Sequence, residues 1–181
     1  SDTTSEVTTD DGRIKDDLPA KDFEGKEFPI LTTSWYNARN YIYADTQDGD
    51  VMNDALYDSI STVEDRFGVD ITITDDEEQD AVAKTLHNLV MSGDDTYKLY
   101  YDISMANFSL EGYFENLCEI PYLNFDKPWW RGTSDNFTIG GKLYFTGNCL
   151  SLSGIFMNYV LAVNKKLADN YSVEIPYDKV T

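Results

Sequence analysis

The sequence predicts an α/β fold built on a doubly wound, mainly parallel sheet with helices on both faces. Three strand-like segments alternate with two helix-like segments between Phe28 and Ile103. Each helical segment is long enough to return the chain across the sheet, which favours parallel pairing of the strands. The chain has 181 residues, of which 41% are hydrophobic, and this suffices for one domain with a real core.

The first strand and the first helix follow from the spacing of their apolar residues. Phe28–Thr32 is predicted as a strand, with Pro29 near its start because proline has no N–H to donate to a neighbouring strand. Apolar side chains then recur at positions 52, 56, 60, 63 and 67, which is the stripe of an amphipathic helix. Asp50 is predicted as the N-cap of this helix and Gly68 as its end.

The next three elements complete the alternation. Val69–Ile73 alternates apolar and polar side chains, as a half-buried strand does. The acidic run Asp75–Glu78 is predicted as a solvated loop and helix start, since acids favour the helix dipole there. A second amphipathic helix is predicted over Val82–Ser92, ending at Gly93, with Val82, Leu86, Leu89 and Val90 on one face. A third strand is predicted over Leu99–Ile103.

The last third of the chain predicts shorter elements. Gly140–Gly141 lies between two short apolar segments and predicts a β-hairpin over Phe137–Phe145. Ile155–Val163 is an apolar run suited to a buried strand, and Asn164 is predicted to cap a short helix, Lys165–Asn170.

The charge of the chain excludes several classes of partner. Fourteen Lys and Arg oppose 33 Asp and Glu, which gives a formal net charge of −19. Such a charge repels a nucleic-acid backbone, and the scattered basic residues form no stripe, so we predict no nucleic-acid binding and no anionic membrane surface as partner. No segment approaches the roughly 18 apolar residues of a transmembrane helix. No targeting signal is present, so the protein is expected to be cytosolic or to have lost its signal.

The sequence holds no motif of a metal, nucleotide or catalytic site. The one histidine, His87, and the two cysteines, Cys118 and Cys149, lack the spacing of zinc ligands. Whether the cysteines form a disulfide is left open. Asp45–Asp50 resembles the start of a calcium loop but lacks the glycine and the glutamate that an EF-hand requires. We therefore predict no cofactor, no metal and no catalytic residue.

A ligand site is expected at the carboxyl ends of the first and third strands. Open sheets of this kind bind ligands where the winding direction reverses. The candidate ligand-binding residues are Trp35, Tyr36, Asp102, Ser104 and Asn107. The two aromatic rings are predicted to stack on the ligand and the three polar side chains to hydrogen-bond its hydroxyls. The same two rings are equally consistent with a place in the core.

A series of short blocks from about residue 17 to the end resembles one family. The blocks are Asp17–Pro19, Asp22–Phe28, Ile30–Thr32, Gly49–Tyr57, Val63–Val69, Leu117–Leu123, Lys127–Trp130, Ile139–Phe145 and Val163–Ala168. In this order and spacing they resemble the mature N-terminal portion of bacterial extracellular solute-binding proteins of ABC transporters.

The resemblance implies a type II periplasmic-binding-protein fold, in which two α/β lobes close on a ligand without chemistry. Residues 1–16, which are mostly polar and acidic, would form a disordered leader or membrane tether. Residues 17–181 would form an incomplete first lobe, with the second lobe absent, because family members run to several hundred residues. A lipid-bearing cysteine upstream of Ser1 would anchor the protein outside a Gram-positive-type cell.

The resemblance also implies the cargo and the partner. Sugars and oligosaccharides are the commonest cargo of the family, and the permease subunits of an ABC importer receive it. Two other hypotheses stay open at this point. An extracellular glycoside hydrolase, or its accessory carbohydrate-binding domain, would need a cleft, and the hydrolase a facing pair of carboxylates. A surface adhesion module would need a flat aromatic patch.

Overall fold

A small parallel sheet lies at the centre of the protein. The computed structural model describes residues 14–76, 79–102, 105–130, 134–147, 151–153 and 162–174. The strands are β1 (Lys26–Thr33), β2 (Val69–Asp76) and β3 (Leu99–Tyr101). Both outer strands pair in parallel with β1, so the order is β2-β1-β3. The predicted α/β class and the predicted parallel pairing are confirmed.

Helices connect and follow the strands. They are α1 (Val51–Phe67), α2 (Gln79–Ser92), α3 (Met105–Leu110), α4 (Ser134–Phe137) and α5 (Lys165–Asn170), with 3-10 turns at Trp35–Tyr41, Leu117–Glu119 and Pro128–Trp130. Because β2 and β3 flank β1 on opposite sides, the crossovers through α1 and α2 run in opposite directions. This is the strand order that a doubly wound sheet requires.

The predicted ends of α1 are confirmed. The Asp50 carboxylate accepts hydrogen bonds from the N–H groups of Met52 at 2.9 Å and Asn53 at 3.1 Å, which satisfies two donors of the first turn. Gly68 ends the helix in the left-handed region, with φ 58°. A Cβ at this glycine would lie 2.0 Å from Oδ1 of Asp22, so any other residue here would also displace the Asp22 side chain.

The core lies between the sheet and α2. Leu31 and Tyr100 are neighbours in register, and they pack with Val82 and Leu86 into one buried cluster. Partly buried residues extend this cluster: Leu89, Tyr97, Phe108, Tyr113 and Phe114. The predicted apolar face of the second helix is therefore confirmed at Val82, Leu86 and Leu89, whereas Val90 is 37% exposed. In contrast, α1 has no buried residue.

The predicted loop at Asp75–Glu78 is wrong in its first half. β2 continues through Asp75 and Asp76, which pair with Thr32 and Thr33 of β1. The backbone hydrogen bonds of the parallel pair outweigh the low strand preference of aspartate. At the other edge, β3 ends at Tyr101, and Ile103 lies outside the described residues.

The predicted hairpin is confirmed only at its turn. Ile139 and Lys142 exchange two backbone hydrogen bonds of 3.0 and 3.1 Å around Gly140 and Gly141, both of which have positive φ. The flanking strands are wrong, because Phe137 ends the helical turn Ser134–Phe137 and Ile139 and Lys142 form only an isolated bridge. Most of the predicted strand Ile155–Val163 lies outside the described residues.

The remaining predictions concern the chain ends and the cysteines. Asn164 caps α5 as predicted, since its side chain accepts the N–H of Leu167 at 3.1 Å. Residues 1–13 of the predicted leader, and Cys149, lie outside the described residues. Cys118 is exposed and has no disulfide partner among the residues that are described.

An N-terminal strap, residues 16–25, crosses the end of α1. Arg66 donates two hydrogen bonds to the Asp16 carboxylate, at 2.7 and 2.8 Å. The N–H groups of Phe23 and Gly25 donate to the carbonyls of Phe67 and Gly68, both at 2.7 Å. The chain is therefore already held by specific contacts at Asp16.

Candidate functional site

The predicted site residues follow two neighbouring strand ends. Thr32 of β1 and Tyr101 of β3 are partners in register, so the residues that follow them leave the sheet at the same edge. The Thr32 hydroxyl donates a hydrogen bond of 2.8 Å to the Tyr101 carbonyl and joins the two ends. This edge lies between β1 and β3, where the chain reverses its winding direction and where open α/β sheets bind ligands.

Trp35 and Tyr36 form an exposed aromatic pair directly after β1. Their side chains are 42% and 62% exposed, so neither ring belongs to the buried core. The ring centroids are 4.4 Å apart, and the ring planes meet at 61°. The two rings therefore form an open corner instead of a flat surface, and both remain accessible to a ligand.

The backbone that presents this aromatic pair adopts an unusual conformation. Tyr36 and Asn37 both have positive φ, 50° and 53°, a region that non-glycine residues rarely enter. The N–H of Trp35 donates to the Thr33 hydroxyl and the N–H of Asn37 to the Ser34 carbonyl, each at 3.1 Å. Local hydrogen bonds thus hold the segment on both sides of the exposed rings.

Asp102 lies at the same edge but is buried, with 7% of its surface exposed. The Tyr100 hydroxyl donates a hydrogen bond of 2.8 Å to its Oδ2. The Tyr100 ring packs against Phe108 and Phe114, at centroid distances of 6.0 and 6.1 Å. Burial raises the pKa of the Tyr100 phenol, and the hydrogen bond to Asp102 and the charge of Asp102 raise it further. Asp102 is therefore anchored to the core before any ligand binds.

Of the other two predicted residues, the structure describes Asn107 but not Ser104. Asn107 is exposed on α3, close in sequence to the third strand end. Ser104 lies outside the described residues. The structure therefore brings Trp35 and Tyr36 into contact, places Asp102 at the same sheet edge and leaves Asn107 on the surface.

A cleft of about 420 Å³ lies beside the aromatic pair, between the 3-10 turn, the loop of residues 42–50 and the start of α1. We call it the α1 cleft. It is lined by Asn37, Arg39, Asn40, Tyr41, Tyr43, Ala44, Asp45, Thr46, Asp48, Asp50, Met52, Asn53, Leu56 and Leu152. Asn37 lines the cleft and directly follows Tyr36, so the cleft begins one residue after the aromatic pair, although neither ring lines it. The volume is within the range of about 300–1,000 Å³ typical of ligand sites.

Charged side chains of the cleft are largely committed to one another or to the backbone. Arg39 donates to Asp45 at 2.6 Å and lies over the Tyr43 ring. This hydrogen bond raises the pKa of Arg39 and lowers the pKa of Asp45. The Asp48 carboxylate accepts the N–H of Asp50 at 2.9 Å. The loop that resembled a calcium site is thus ordered by its own hydrogen bonds.

A chain of hydroxyl groups reaches the sheet edge from the far end of the sequence. The Tyr101 hydroxyl hydrogen-bonds Ser151, whose hydroxyl lies 2.7 Å from that of Ser153. The N–H of Leu152 donates to the Tyr41 carbonyl at 2.9 Å. Neither the α1 cleft nor these serines were predicted, because their partners are distant in the sequence. The polar residues within Asn37–Asn40 were the only feature of the local sequence that pointed to the α1 cleft.

Comparisons with known proteins add no relative. Searches of protein-family models, of curated proteins and of solved structures found no match to this chain. Across the described ranges, no helix has the length and apolar character needed to cross a membrane. In the same ranges, no group of three or more His, Cys, Asp or Glu side chains is arranged to hold a metal ion.

Proposed function

We propose that this protein captures a small solute, a sugar or an oligosaccharide, for an ABC importer. In this proposal residues 17–181 form the first lobe of a type II periplasmic-binding-protein fold, and residues 1–16 tether it to a lipid anchor upstream of Ser1. The protein acts outside a Gram-positive-type cell and passes its cargo to the permease subunits. The observation that carries the proposal is the exposed Trp35–Tyr36 pair at the reversal point of the sheet.

The aromatic pair suits a saccharide for a physical reason. The C–H groups on one face of a sugar ring pack against an aromatic face, whereas its hydroxyls need hydrogen-bond partners around the rim. The α1 cleft supplies the Asn40 amide and the Oδ1 acceptor of Asn53, whose NH2 group already donates to the Thr46 carbonyl at 2.7 Å. Each neutral hydrogen bond contributes about 1 kcal/mol net, so stacking and several such bonds are both needed for binding.

The geometry of the edge favours capture of a discrete solute over the rival functions. Adhesion to a polysaccharide surface would need coplanar rings, and the 61° angle between Trp35 and Tyr36 prevents this. Hydrolysis would need two accessible carboxylates that face each other. Asp102 is buried and bonded to Tyr100, so it is not an accessible carboxylate beside the aromatic pair. This burial supports binding without catalysis at the strand ends.

Titration calorimetry of the chain against neutral trisaccharides and against tripeptides tests the proposal. We expect binding of a trisaccharide with a dissociation constant near the millimolar range, about −4 kcal/mol, because one lobe covers only one face of the ligand. Trp35→Ala and Tyr36→Ala should each weaken binding, while Tyr171→Ala, at the exposed tyrosine that follows α5, serves as the matched control.

Three outcomes would contradict the proposal. Binding of tripeptides alone would exclude a saccharide as the cargo. Release of shorter sugars from the trisaccharide, measured by chromatography, would show a hydrolase. Equal affinities for the Tyr36→Ala and Tyr171→Ala variants would place the binding site elsewhere.

A further inference from the structure

Asn37 is an exposed residue with a positive φ, placed between the aromatic pair and the α1 cleft. We propose that Asn37 is a positioning residue whose left-handed backbone holds the Trp35 and Tyr36 rings in the arrangement that binds the ligand. Under this proposal the conformation of residue 37 matters for binding and its amide group does not. The inference rests on the proposed function, because it concerns the same site.

The segment that carries the aromatic pair lies between two buried anchors. Thr33, the last residue of β1, and Ala38 are both buried, whereas Trp35, Tyr36 and Asn37 between them are exposed. The chain therefore has to leave the sheet edge, expose two large rings and return to the interior within a few residues. A short exposed bridge between fixed ends has little freedom to adopt alternative backbone conformations.

The residue types at positions 36 and 37 differ in how well they tolerate a positive φ. An aromatic side chain with positive φ is an outlier, whereas asparagine is among the non-glycine residues that tolerate this region best. Such strain persists where the surrounding structure imposes it, and it is concentrated at functional sites. Because Thr33 and Ala38 are both buried, a relaxed backbone at position 37 would have to be compensated by the backbone of Tyr36, and that change moves the Tyr36 ring relative to Trp35.

A backbone hydrogen bond closes the exposed segment between Thr33 and Ala38. The N–H of Asn37 donates to the Ser34 carbonyl at 3.1 Å, and this bond closes the turn that contains Trp35 and Tyr36. The bond uses the backbone of residue 37, so it survives replacement of the side chain as long as the left-handed conformation is kept. Glycine keeps that conformation at no steric cost, and a β-branched residue does not.

The experiment compares Asn37→Gly, Asn37→Ala and Asn37→Val, with Asn40→Val as a control in the same 3-10 turn. Trp129→Phe and Trp130→Phe are introduced first, because the chain has three tryptophans and Trp35 then gives the only indole signal. The first readout needs no ligand. It is the nuclear Overhauser effect between the Trp35 and Tyr36 rings, whose centroids lie 4.4 Å apart.

We expect the ring-to-ring signal to persist in the Asn37→Gly and Asn40→Val variants. It should weaken in Asn37→Ala and vanish in Asn37→Val, with far-UV circular dichroism unchanged. The neutral trisaccharide should bind Asn37→Gly within about twofold of the parent and Asn37→Val about tenfold more weakly. If Asn37→Val lowers the melting temperature too far, Asn37→Ala gives the same comparison with a milder side chain.

Two results would overturn the inference. A ring-to-ring signal that persists in both Asn37→Ala and Asn37→Val would show that residue 37 does not position the pair. An Asn37→Gly variant that keeps the signal but binds as weakly as Asn37→Val would show that the amide contacts the ligand directly. Failure of every variant, and of the parent, to bind any saccharide would contradict the proposed function, while the ligand-free signal still decides the role of Asn37.

Discussion

The two helices that flank the sheet are held in different ways. α2 contributes Val82 and Leu86 to the buried cluster with Leu31 and Tyr100, whereas α1 buries no residue. Polar contacts hold α1 instead. Asp50 caps its start, Glu64 accepts the N–H of Ile71 from β2 at 2.9 Å, and Arg66 pairs with Asp16.

The difference between the two helices suggests that the α2 side contributes mainly to the stability of the fold and the α1 side mainly to ligand binding. The α2 side holds the buried cluster of Leu31, Val82, Leu86 and Tyr100, so truncation of a side chain there leaves a cavity. The α1 side keeps a cleft and the exposed aromatic pair next to it, and its polar groups remain near water. We therefore expect substitutions on the α2 side to change the free energy of unfolding most, and those near the α1 cleft to change binding most.

A matched pair of valines tests the comparison with the largest expected effect. Val82 of α2 is 0% exposed and Val63 of α1 is 40% exposed. Val82→Ala should lower the free energy of unfolding by about 2.5 kcal/mol, because it removes buried methyl groups and leaves a cavity. Val63→Ala should cost less than about 1 kcal/mol. Equal losses in urea titrations of the two variants would show that α1 also packs a core.

Tyr100→Phe tests the polar anchor at the boundary of the core. The substitution removes the donor to Asp102 and should lower the free energy of unfolding by about 1.5 kcal/mol at neutral pH. Because the pKa of Tyr100 is raised from 10.0 in the folded state, the phenol proton stabilises the fold below that pH. Its contribution is lost as the pH rises through the folded-state pKa.

The stability difference between the parent and Tyr100→Phe should therefore shrink as the pH rises above 10.0. Urea titrations of both proteins over this alkaline range measure it, with Tyr171→Phe as an exposed control. A difference that is constant with pH would show that the Tyr100 proton is not linked to folding.

Asp16→Asn should have the smallest effect and tests the polar attachment of α1. The hydrogen bonds from Arg66 lower the pKa of Asp16 from 3.8 to about 2. A lowered pKa stabilises the folded state above the unfolded value, and this contribution is lost as the pH falls from 3.8 towards 2. Because the pair is partly exposed, the effect should be small and weakened by salt.

The melting temperatures of the parent and of Asp16→Asn, followed between pH 5 and pH 2, check this prediction. The parent should lose more stability than the variant over that interval, and the two curves should converge at the acid end. Parallel curves would show that the N-terminal strap does not depend on the Asp16–Arg66 pair.

Short sequence patterns predicted correctly the elements that are formed by interactions between residues close in the sequence. The spacing of apolar residues in α1 and α2, the cap at Asp50 and the turn at Gly140–Gly141 are all decided within a few residues. The end of β2 at Asp76 was not predictable in this way, because pairing with Thr33 of β1 decides it.

The sequence likewise predicted only part of the candidate site. Trp35 and Tyr36 could be assigned to the sheet edge because they follow a strand directly. The burial of Asp102 depends on its bond to Tyr100 and on the aromatic residues around that ring. The α1 cleft needs Leu152 as well as the residues after β1, so no local pattern contains it.

The indole N–H signals of the three tryptophans offer the most direct test of the central claim, that the Trp35–Tyr36 edge binds the solute. A neutral trisaccharide is titrated into ¹⁵N-labelled protein, and the three signals are assigned by substituting each tryptophan with phenylalanine. We expect the Trp35 signal to shift and saturate with added sugar, while those of Trp129 and Trp130 stay in place. A saturating shift at Trp129 or Trp130 with an unmoved Trp35 signal would contradict it.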